Sequence, residues 1–160
     1  MRRSRFDYYF NQPSDRQSKE NVRRCQSLIR NAGYADDLKL ESQSILHFKN
    51  GSRIVGLPGG RPENIRGYSK VSLIVADEAA FIDDETFAAV FPFLATNPHA
   101  VFIALTTPNG ARGWFYRQWA EENNWRKIRV TSEMCERISP EFLEQQPRIR
   151  SVSVCGRIRM

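Results

Sequence analysis

The sequence predicts an α/β fold with a mainly parallel sheet flanked by helices and an antiparallel hairpin near residues 44–55. Residues 71–76 and 100–105 are short apolar runs, which are typical of strands buried on both faces of a parallel sheet. Segments with helical spacing of apolar residues alternate with strands from residue 71 onward. The 160 residues, 41% of them hydrophobic, are enough for one domain with its own core.

The first third of the chain predicts a strand, a helix and three further strands. Residues 5–10 are aromatic and typical of a strand. Ser14 is a suitable N-cap for a helix over residues 15 to about 31, and Gly33 supplies its end. Short strands are expected in three places: 38–41, 44–49 and 52–55. Asn50-Gly51 lies between the last two and is a strong hairpin signal.

The second half adds helices around the two apolar runs. A helix is expected over residues 85–94, where Pro92 falls inside the pattern and predicts a kink or an end near Val90 or Phe91. Three more elements are expected: a helix at 113 to about 122, a strand at 125–130 nearer the sheet edge, and a short helix at 140–144. Aromatic residues at helical spacing within 114–119 are expected to pack in the core rather than to stack on bases.

The net charge of +6 is unevenly distributed. Residues 1–30 carry eight Lys or Arg against three acids, and residues 147–160 carry four Arg and no acid. Basic ends suit contact with a polyanion such as DNA, and solvated termini explain the same charges equally well. No apolar run approaches the roughly 20 residues that cross a bilayer. We expect one domain over residues 1–146, followed by a basic tail that is disordered or foreign to it.

Asp77 and Glu78 follow the first apolar run directly. Carboxylates are costly to bury unless they are paired or bind a metal, so we expect both at the carboxyl end of the strand, where open α/β sheets bind ligands. An apolar strand followed by Asp-Glu is the pattern of a Walker B element. There the Asp holds Mg²⁺ beside nucleotide phosphates, and the Glu accepts a proton from the attacking water or orients it. An acidic turn after a buried strand is the alternative interpretation.

Two other features support the Walker B interpretation. Thr106-Thr107-Pro108 follows the second apolar run, where motors of this kind place a small polar residue that senses the γ-phosphate. An ordinary strand-to-loop exit has the same composition. Arg66, beside Gly67 in the loop before residue 71, is placed to reach transition-state phosphate charge, as arginine fingers do. A solvated loop arginine is the alternative there.

Four segments in order resemble the large terminase subunit of tailed bacteriophages. They are Asn64–Ser69, Leu73–Ile82, Thr106–Gly110 and Gly113–Tyr116. The resemblance extends from about Pro13 to about Leu143, and it is specific because all four motifs keep the spacing of the family. Terminases are ATP-driven motors that package DNA into a procapsid.

The resemblance implies an ASCE-type P-loop NTPase fold, with Mg²⁺ and ATP as cofactors. It also implies double-stranded DNA as cargo, the portal protein and the small terminase subunit as partners, and the cytoplasm of a bacterial host as location. By position, Asp77 is the metal residue, Glu78 the catalytic carboxylate and Arg66 the arginine of the Arg-Gly loop of the family. Thr106 and Thr107 match its coupling motif, on the nucleotide side of the site.

The chain departs from the family at both ends. It contains no G-x-x-x-x-G-K-[ST] pattern, since Pro58-Gly-Gly-Arg61 lacks both the spacing and the lysine. The nuclease domain of the family is not found either. We therefore expect a partial terminase ATPase domain. Without the backbone and lysine contacts of a P-loop, we predict weak or absent ATP hydrolysis by this chain alone.

Two other interpretations stay open. A helicase-like DExx ATPase would need a DEAD- or DEAH-type tetrad, and Asp77-Glu-Ala-Ala80 does not supply one. A degenerate prophage remnant without catalysis would bind DNA only through its basic ends. Binding of that kind is electrostatic and weakens steeply with salt.

Overall fold

The structure is a computed structural model that describes residues 7–58, 71–95, 97–145 and 152–159. The described strands are β1 (Asp7–Gln12), β2 (Leu38–Glu41), β3 (Ile45–Phe48), β4 (Arg53–Pro58), β5 (Leu73–Asp77), β6 (Val101–Thr106), β7 (Arg126–Thr131) and β8 (Val152–Arg159). The described helices are α1 (Asp15–Asn31), α2 (Asp84–Ala95), α3 (Gly113–Ala120) and α4 (Pro140–Gln145). None of these helices is both long and apolar enough to span a bilayer.

The strands form one sheet in the order β2-β3-β4-β1-β5-β6-β8-β7. Its centre is parallel, because β1 pairs in parallel with β4 and β5, and β5 with β6. The hairpin of β3 and β4 is antiparallel, and β2 extends it. This architecture confirms the predicted α/β fold. It places β5, the strand that precedes Asp77 and Glu78, between two parallel neighbours.

Helix α1 has the predicted bounds and caps. The side chain of Ser14 accepts a hydrogen bond from the Gln17 backbone N–H at 3.3 Å, which satisfies one of the free donors at the helix start. At the other end, Gly33 has φ +80° and donates its N–H to the carbonyl of Arg30 at 3.0 Å. A short polar cap and a left-handed glycine thus fix both ends of the helix.

The hairpin also forms where Asn50-Gly51 predicted it. Gly51 has φ +86° and donates its N–H to the Phe48 carbonyl at 2.9 Å, and the Phe48 N–H bonds the Ser52 carbonyl at 2.9 Å. The asparagine side chain accepts from the Ser52 N–H at 2.9 Å. Gly51 is suited to this position because it has no Cβ to oppose the left-handed conformation.

Helix α1 lies unusually close to β4 at Gly56. A methyl group added to Gly56 would lie 2.5 Å from Ser18 Oγ and 2.8 Å from Val22 Cγ2, and both of these residues are buried. Gly56→Ala is expected to lower the free energy of unfolding by about 1–3 kcal/mol, because the helix must shift outward to admit the methyl group. Urea denaturation of the purified chain measures this.

Ser18→Ala provides the control for that prediction. It removes the atom nearest to the new methyl group, so the double variant Gly56→Ala/Ser18→Ala should recover part of the loss. If Gly56→Ala is as stable as the parent chain, the close approach of α1 to β4 is wrong.

Helix α2 does not end at its proline. A kink or an end was expected near Val90 or Phe91. The helix runs from Asp84 to Ala95, so the end is wrong, and the kink stays a prediction. Pro92 removes one backbone hydrogen bond, but its ring is exposed to solvent. The buried side chains of Phe87, Val90 and Leu94 hold the helix against the sheet on its other side. Tertiary packing therefore overrides the local preference to break.

Aromatic side chains join α2, α3 and β6 in one core cluster. The rings of Phe87 and Trp114 stack with centroids 4.1 Å apart, and Phe102 of β6 meets both edge-on at 6.3 and 5.9 Å. Trp125, just before β7, packs on Trp114 at 5.4 Å. The expectation of core packing is confirmed for Trp114 and Phe115, and it is wrong for Tyr116, which is 41% exposed.

A carboxylate links the starts of α2 and α3. Asp84 Oδ1 accepts the Trp114 backbone N–H at 2.6 Å, and Asp84 Oδ2 accepts Arg117 Nη2 at 2.5 Å. The Arg117 guanidinium holds the pKa of the Asp84 carboxyl below its usual range. This contact fixes the start of α3 to the start of α2.

The last described segment of the chain is a strand. Residues 152–159, which lie within the expected basic tail, form strand β8 between β6 and the edge strand β7. Val152, Val154 and Ile158 alternate with more polar residues, which is a period-2 strand signal that the concentration of arginines obscured. The predicted edge position of residues 125–130 is confirmed by β7. The domain boundary at residue 146 stays a prediction.

Candidate active site

A cleft of about 470 Å³ lies between α1 and the carboxyl end of β5. Its lining is polar and consists of Ser14, Arg16, Gln17, Glu20, Asn21, Arg24, Asp77 and Glu78. The predicted pair of carboxylates therefore faces a cleft at the end of a parallel strand, where α/β sheets bind ligands. The other wall is the polar face of α1, where the lining residues recur at spacings of three and four.

Asp77 is half-buried at the end of β5. Its Oδ1 accepts the Glu78 backbone N–H at 3.1 Å, and its Oδ2 lies 3.5 Å from Asn21 Nδ2 of α1. The first contact fixes the carboxylate against its own backbone. The second is long for a hydrogen bond and places an amide donor beside the carboxylate.

Glu78 has the left-handed conformation, with φ 54° and ψ 41°. Among the described residues it alone has positive φ without being a glycine. Its Oε2 is buried and has no hydrogen-bond partner among those residues. Strained backbone and an unpaired buried carboxylate oxygen both cost stability, and both recur at active sites.

Thr106 lies at the end of the neighbouring strand β6 and is 5% exposed. Its Oγ1 accepts the Ala80 backbone N–H at 3.3 Å and donates to the Thr107 carbonyl at 2.9 Å. The structure thus brings Thr106 to the turn that follows Glu78, while Thr107 and Pro108 are exposed. Arg66 lies outside the described residues.

The cleft residues of α1 were not predicted as site residues. Ser14, Gln17, Asn21 and Arg24 recur at intervals of three, four and three residues, which places them on one helical face. That polar stripe is the sequence feature that could have predicted the cleft wall. It is hard to separate from a solvated helix face without knowing that β5 ends opposite to it.

The donor set fits a magnesium ion held with a nucleotide. No group of three or more metal-ligating side chains exists within the described part of the chain, so Asp77 and Glu78 stand as a pair of carboxylates. Mg²⁺ keeps several waters and takes one or two carboxylates together with substrate phosphates. An oxygen-only pair beside an open cleft matches that requirement.

Two other groups with shifted pKa values, the Glu41 carboxyl and the Cys25 thiol, lie away from Asp77 and Glu78. Hydrogen bonds from Arg30 and Gln26 lower the pKa of the exposed Glu41 carboxyl. Burial raises the pKa of the Cys25 thiol on α1, so it stays protonated and weakly reactive at neutral pH. These groups belong to surface pairing and packing rather than to the candidate site.

Two of three comparisons with known proteins gave a match, one with a family profile and one with a solved fold. The profile described as phage terminase large subunit matches residues 13–146. The fold is similar to the large terminase ATPase domain of Thermus phage P74-26, with 22% sequence identity and a TM-score of 0.59. The match covers 72% of this chain and 52% of that chain, so this chain spans about half the length of that structure. No curated protein sequence gave a significant match.

The similarity to a terminase ATPase domain confirms the predicted P-loop NTPase-like fold. The family profile covers most of the sequence, including β5, β6 and the elements between them. The chain belongs to the phage terminase large subunit family.

Proposed function

We propose that Asp77 and Glu78 are the metal-binding and catalytic carboxylates of an ATPase that drives DNA packaging. The observation that carries this proposal is the buried Glu78 Oε2, which lacks a hydrogen-bond partner among the described residues. Burying such an oxygen unpaired is costly, so a fold retains it where a reactant supplies the partner. Membership of the terminase family supports ATP and its attacking water as the reactants.

Each carboxylate has a separate task in this proposal. Asp77 would hold Mg²⁺, and Asn21 would restrict the orientation of its carboxylate from α1. When bound, Mg²⁺ neutralises charge on the β- and γ-phosphates. Glu78 accepts the proton of the attacking water through its carboxylate.

Three further residues complete the proposed site. Arg66 is proposed to stabilise the charge of the transferring phosphoryl group. Thr106 and Thr107 are proposed to form its edge at the end of β6. The hydrogen bond between the Ala80 N–H and Thr106 Oγ1, at 3.3 Å, supports placing β6 beside the catalytic carboxylate.

The cargo and partners follow from the family. We propose double-stranded DNA as cargo, with the portal protein and the small terminase subunit as partners, in the cytoplasm of a bacterial host. The basic segment 1–30 and the four arginines of residues 147–160 suit contact with DNA phosphates.

Unfolding with and without Mg²⁺-ATP tests the nucleotide site. At 100 times its Kd, Mg²⁺-ATP is expected to raise the free energy of unfolding by about 2.7 kcal/mol. Asp77→Asn is expected to remove the magnesium-dependent part of that gain, because a neutral amide is a poorer ligand for a hard cation. Glu85→Gln is the matched control, since Glu85 is exposed on α2 and does not line the cleft.

Equal stabilisation of the Asp77→Asn variant and the parent chain would contradict the role of Asp77. Hydrolysis by this chain, which has no G-x-x-x-x-G-K-[ST] pattern, is expected to be weak, and Glu78→Gln should abolish what remains. The remnant interpretation would be favoured if Mg²⁺-ATP does not stabilise the chain while DNA binding is purely electrostatic. In that case log K for DNA falls linearly with log salt, with a slope of about −0.9 for each neutralised phosphate.

A further inference from the structure

The hydroxyl of Thr106 is committed to two backbone groups. The Thr107 carbonyl can only accept, so the 2.9 Å contact takes the single proton of the hydroxyl. The Ala80 N–H can only donate, so the 3.3 Å contact occupies one lone pair of Oγ1. A phosphate oxygen needs a donor. In this geometry Thr106 has no proton left to give to a nucleotide.

The turn that Thr106 contacts is the one that fixes Glu78. The Glu78 carbonyl accepts the Phe81 N–H at 2.9 Å, which closes the 3₁₀ turn over residues 79–81. On the other side, the Glu78 N–H donates to Asp77 Oδ1 at 3.1 Å. The Ala80 N–H bond to Thr106 is a hydrogen bond that ties this turn to the neighbouring strand.

Glu78 needs such a restraint because its φ of 54° is unfavourable for a residue with a side chain. Left-handed residues of this kind persist only where their surroundings over-determine them. A return of Glu78 to negative φ would swing its side chain away from the position in which Oε2 is buried. The restraint therefore determines where the carboxylate points.

We propose that Thr106 is a positioning residue for Glu78, rather than a nucleotide contact. It holds the backbone of Ala80, and thereby keeps Glu78 left-handed with its carboxylate in the buried position. The inference rests on the proposed ATPase function for its purpose, since a correctly held Glu78 is what proton transfer from water requires. The hydrogen bond and the conformation can be tested without turnover.

Two NMR measurements on the full chain test the proposal. Thr106→Val keeps the shape of the side chain but removes its acceptor. We expect exchange of the Ala80 amide proton to accelerate at least about tenfold, and the ¹³Cα and ¹³Cβ shifts of Glu78 to leave the left-handed range. Thr106→Ser retains the hydroxyl and should preserve both signals. Thr107→Val is the matched control, because Thr107 is exposed.

Unchanged Ala80 exchange and Glu78 shifts in Thr106→Val would overturn the proposal, as would a Thr106→Ser variant that behaves like Thr106→Val. Amide exchange at Ile74, in the middle of β5, separates a local change from global loss of stability. If Thr106→Val does not fold, the same two NMR measurements on the parent chain test the proposal. A protected Ala80 amide and left-handed shifts at Glu78 are expected, and random-coil values at both would overturn the proposal.

The positioning role of Thr106 and the proposed ATPase function can fail independently of each other. A chain that shows these changes in Thr106→Val but does not bind Mg²⁺-ATP retains the positioning contact and loses the ATPase assignment. A chain that binds Mg²⁺-ATP through Asp77 but keeps the Ala80 and Glu78 signals in Thr106→Val retains the function and loses this inference.

Discussion

Replacing Asp7 with alanine is expected to lower the free energy of unfolding by about 3–5 kcal/mol, as urea denaturation would measure it. Asp7 is 2% exposed and meets the guanidinium of Arg53 through both oxygens, at 2.6 Å from Nη2 and 3.1 Å from Nε. The alanine variant removes this carboxylate from the guanidinium, whose side chain is 21% exposed, between β1 and β4. Removing one partner of a buried ion pair costs far more than the pair itself contributes.

Asp15→Ala is the control for that result. Asp15 pairs with Lys19 at 2.6 Å on the exposed surface of α1, where both side chains remain largely in water. Its loss should cost less than about 1 kcal/mol. If both variants lose the same stability, the pair of Asp7 and Arg53 is solvated rather than buried. The double variant Asp7→Leu/Arg53→Met should recover most of the loss, because apolar groups of similar volume need no counter-charge.

The sequence predicted the parts of the fold that depend on local patterns. The apolar run before Asp77 predicted the strand β5. The expected burial on both faces is only partly observed, since Ile74 and Ala76 are fully buried and the residues that alternate with them are half-buried. Ser14 and Gly33 predicted the ends of α1, because capping is a property of single residues. The pair of Asp7 and Arg53 was not predicted. It depends on the register between β1 and β4, which are far apart in the chain, and no periodicity specifies that register.

The same distinction applies to the candidate site. The position of Asp77 and Glu78 at a strand end could be predicted, because burying carboxylates inside a sheet is unfavourable. The left-handed conformation of Glu78 could not, because glutamate is not a residue that favours positive φ. Its conformation depends on tertiary contacts, including the one from Thr106. Pro92 is a further case, since core packing kept α2 helical where the local rule predicted a kink or an end.

Phe87→Ala is expected to lower the free energy of unfolding by about 3–5 kcal/mol, a large share of the stability of a domain of this size. Phe87 is 1% exposed and its ring contacts Phe91, Phe102 and Trp114, with centroids 6.5, 6.3 and 4.1 Å away. Removing the ring leaves a cavity that three other aromatic side chains cannot fill without moving. Urea denaturation followed by tryptophan fluorescence measures the loss, because Trp114 stacks directly on the missing ring.

The position of Phe87 makes the loss relevant to the site as well. The cluster holds α2 and α3 against β6, the strand that ends in Thr106, so a relaxed cluster should also weaken protection of the Ala80 amide. Phe142→Ala is the matched control, since Phe142 of α4 is 50% exposed and should change stability by less than about 0.5 kcal/mol. A Phe87→Ala variant as stable as Phe142→Ala would mean that the ring is not packed between α2, α3 and β6. Phe87→Leu should lie between the two alanine variants, because it fills part of the cavity and restores some of the dispersion contacts.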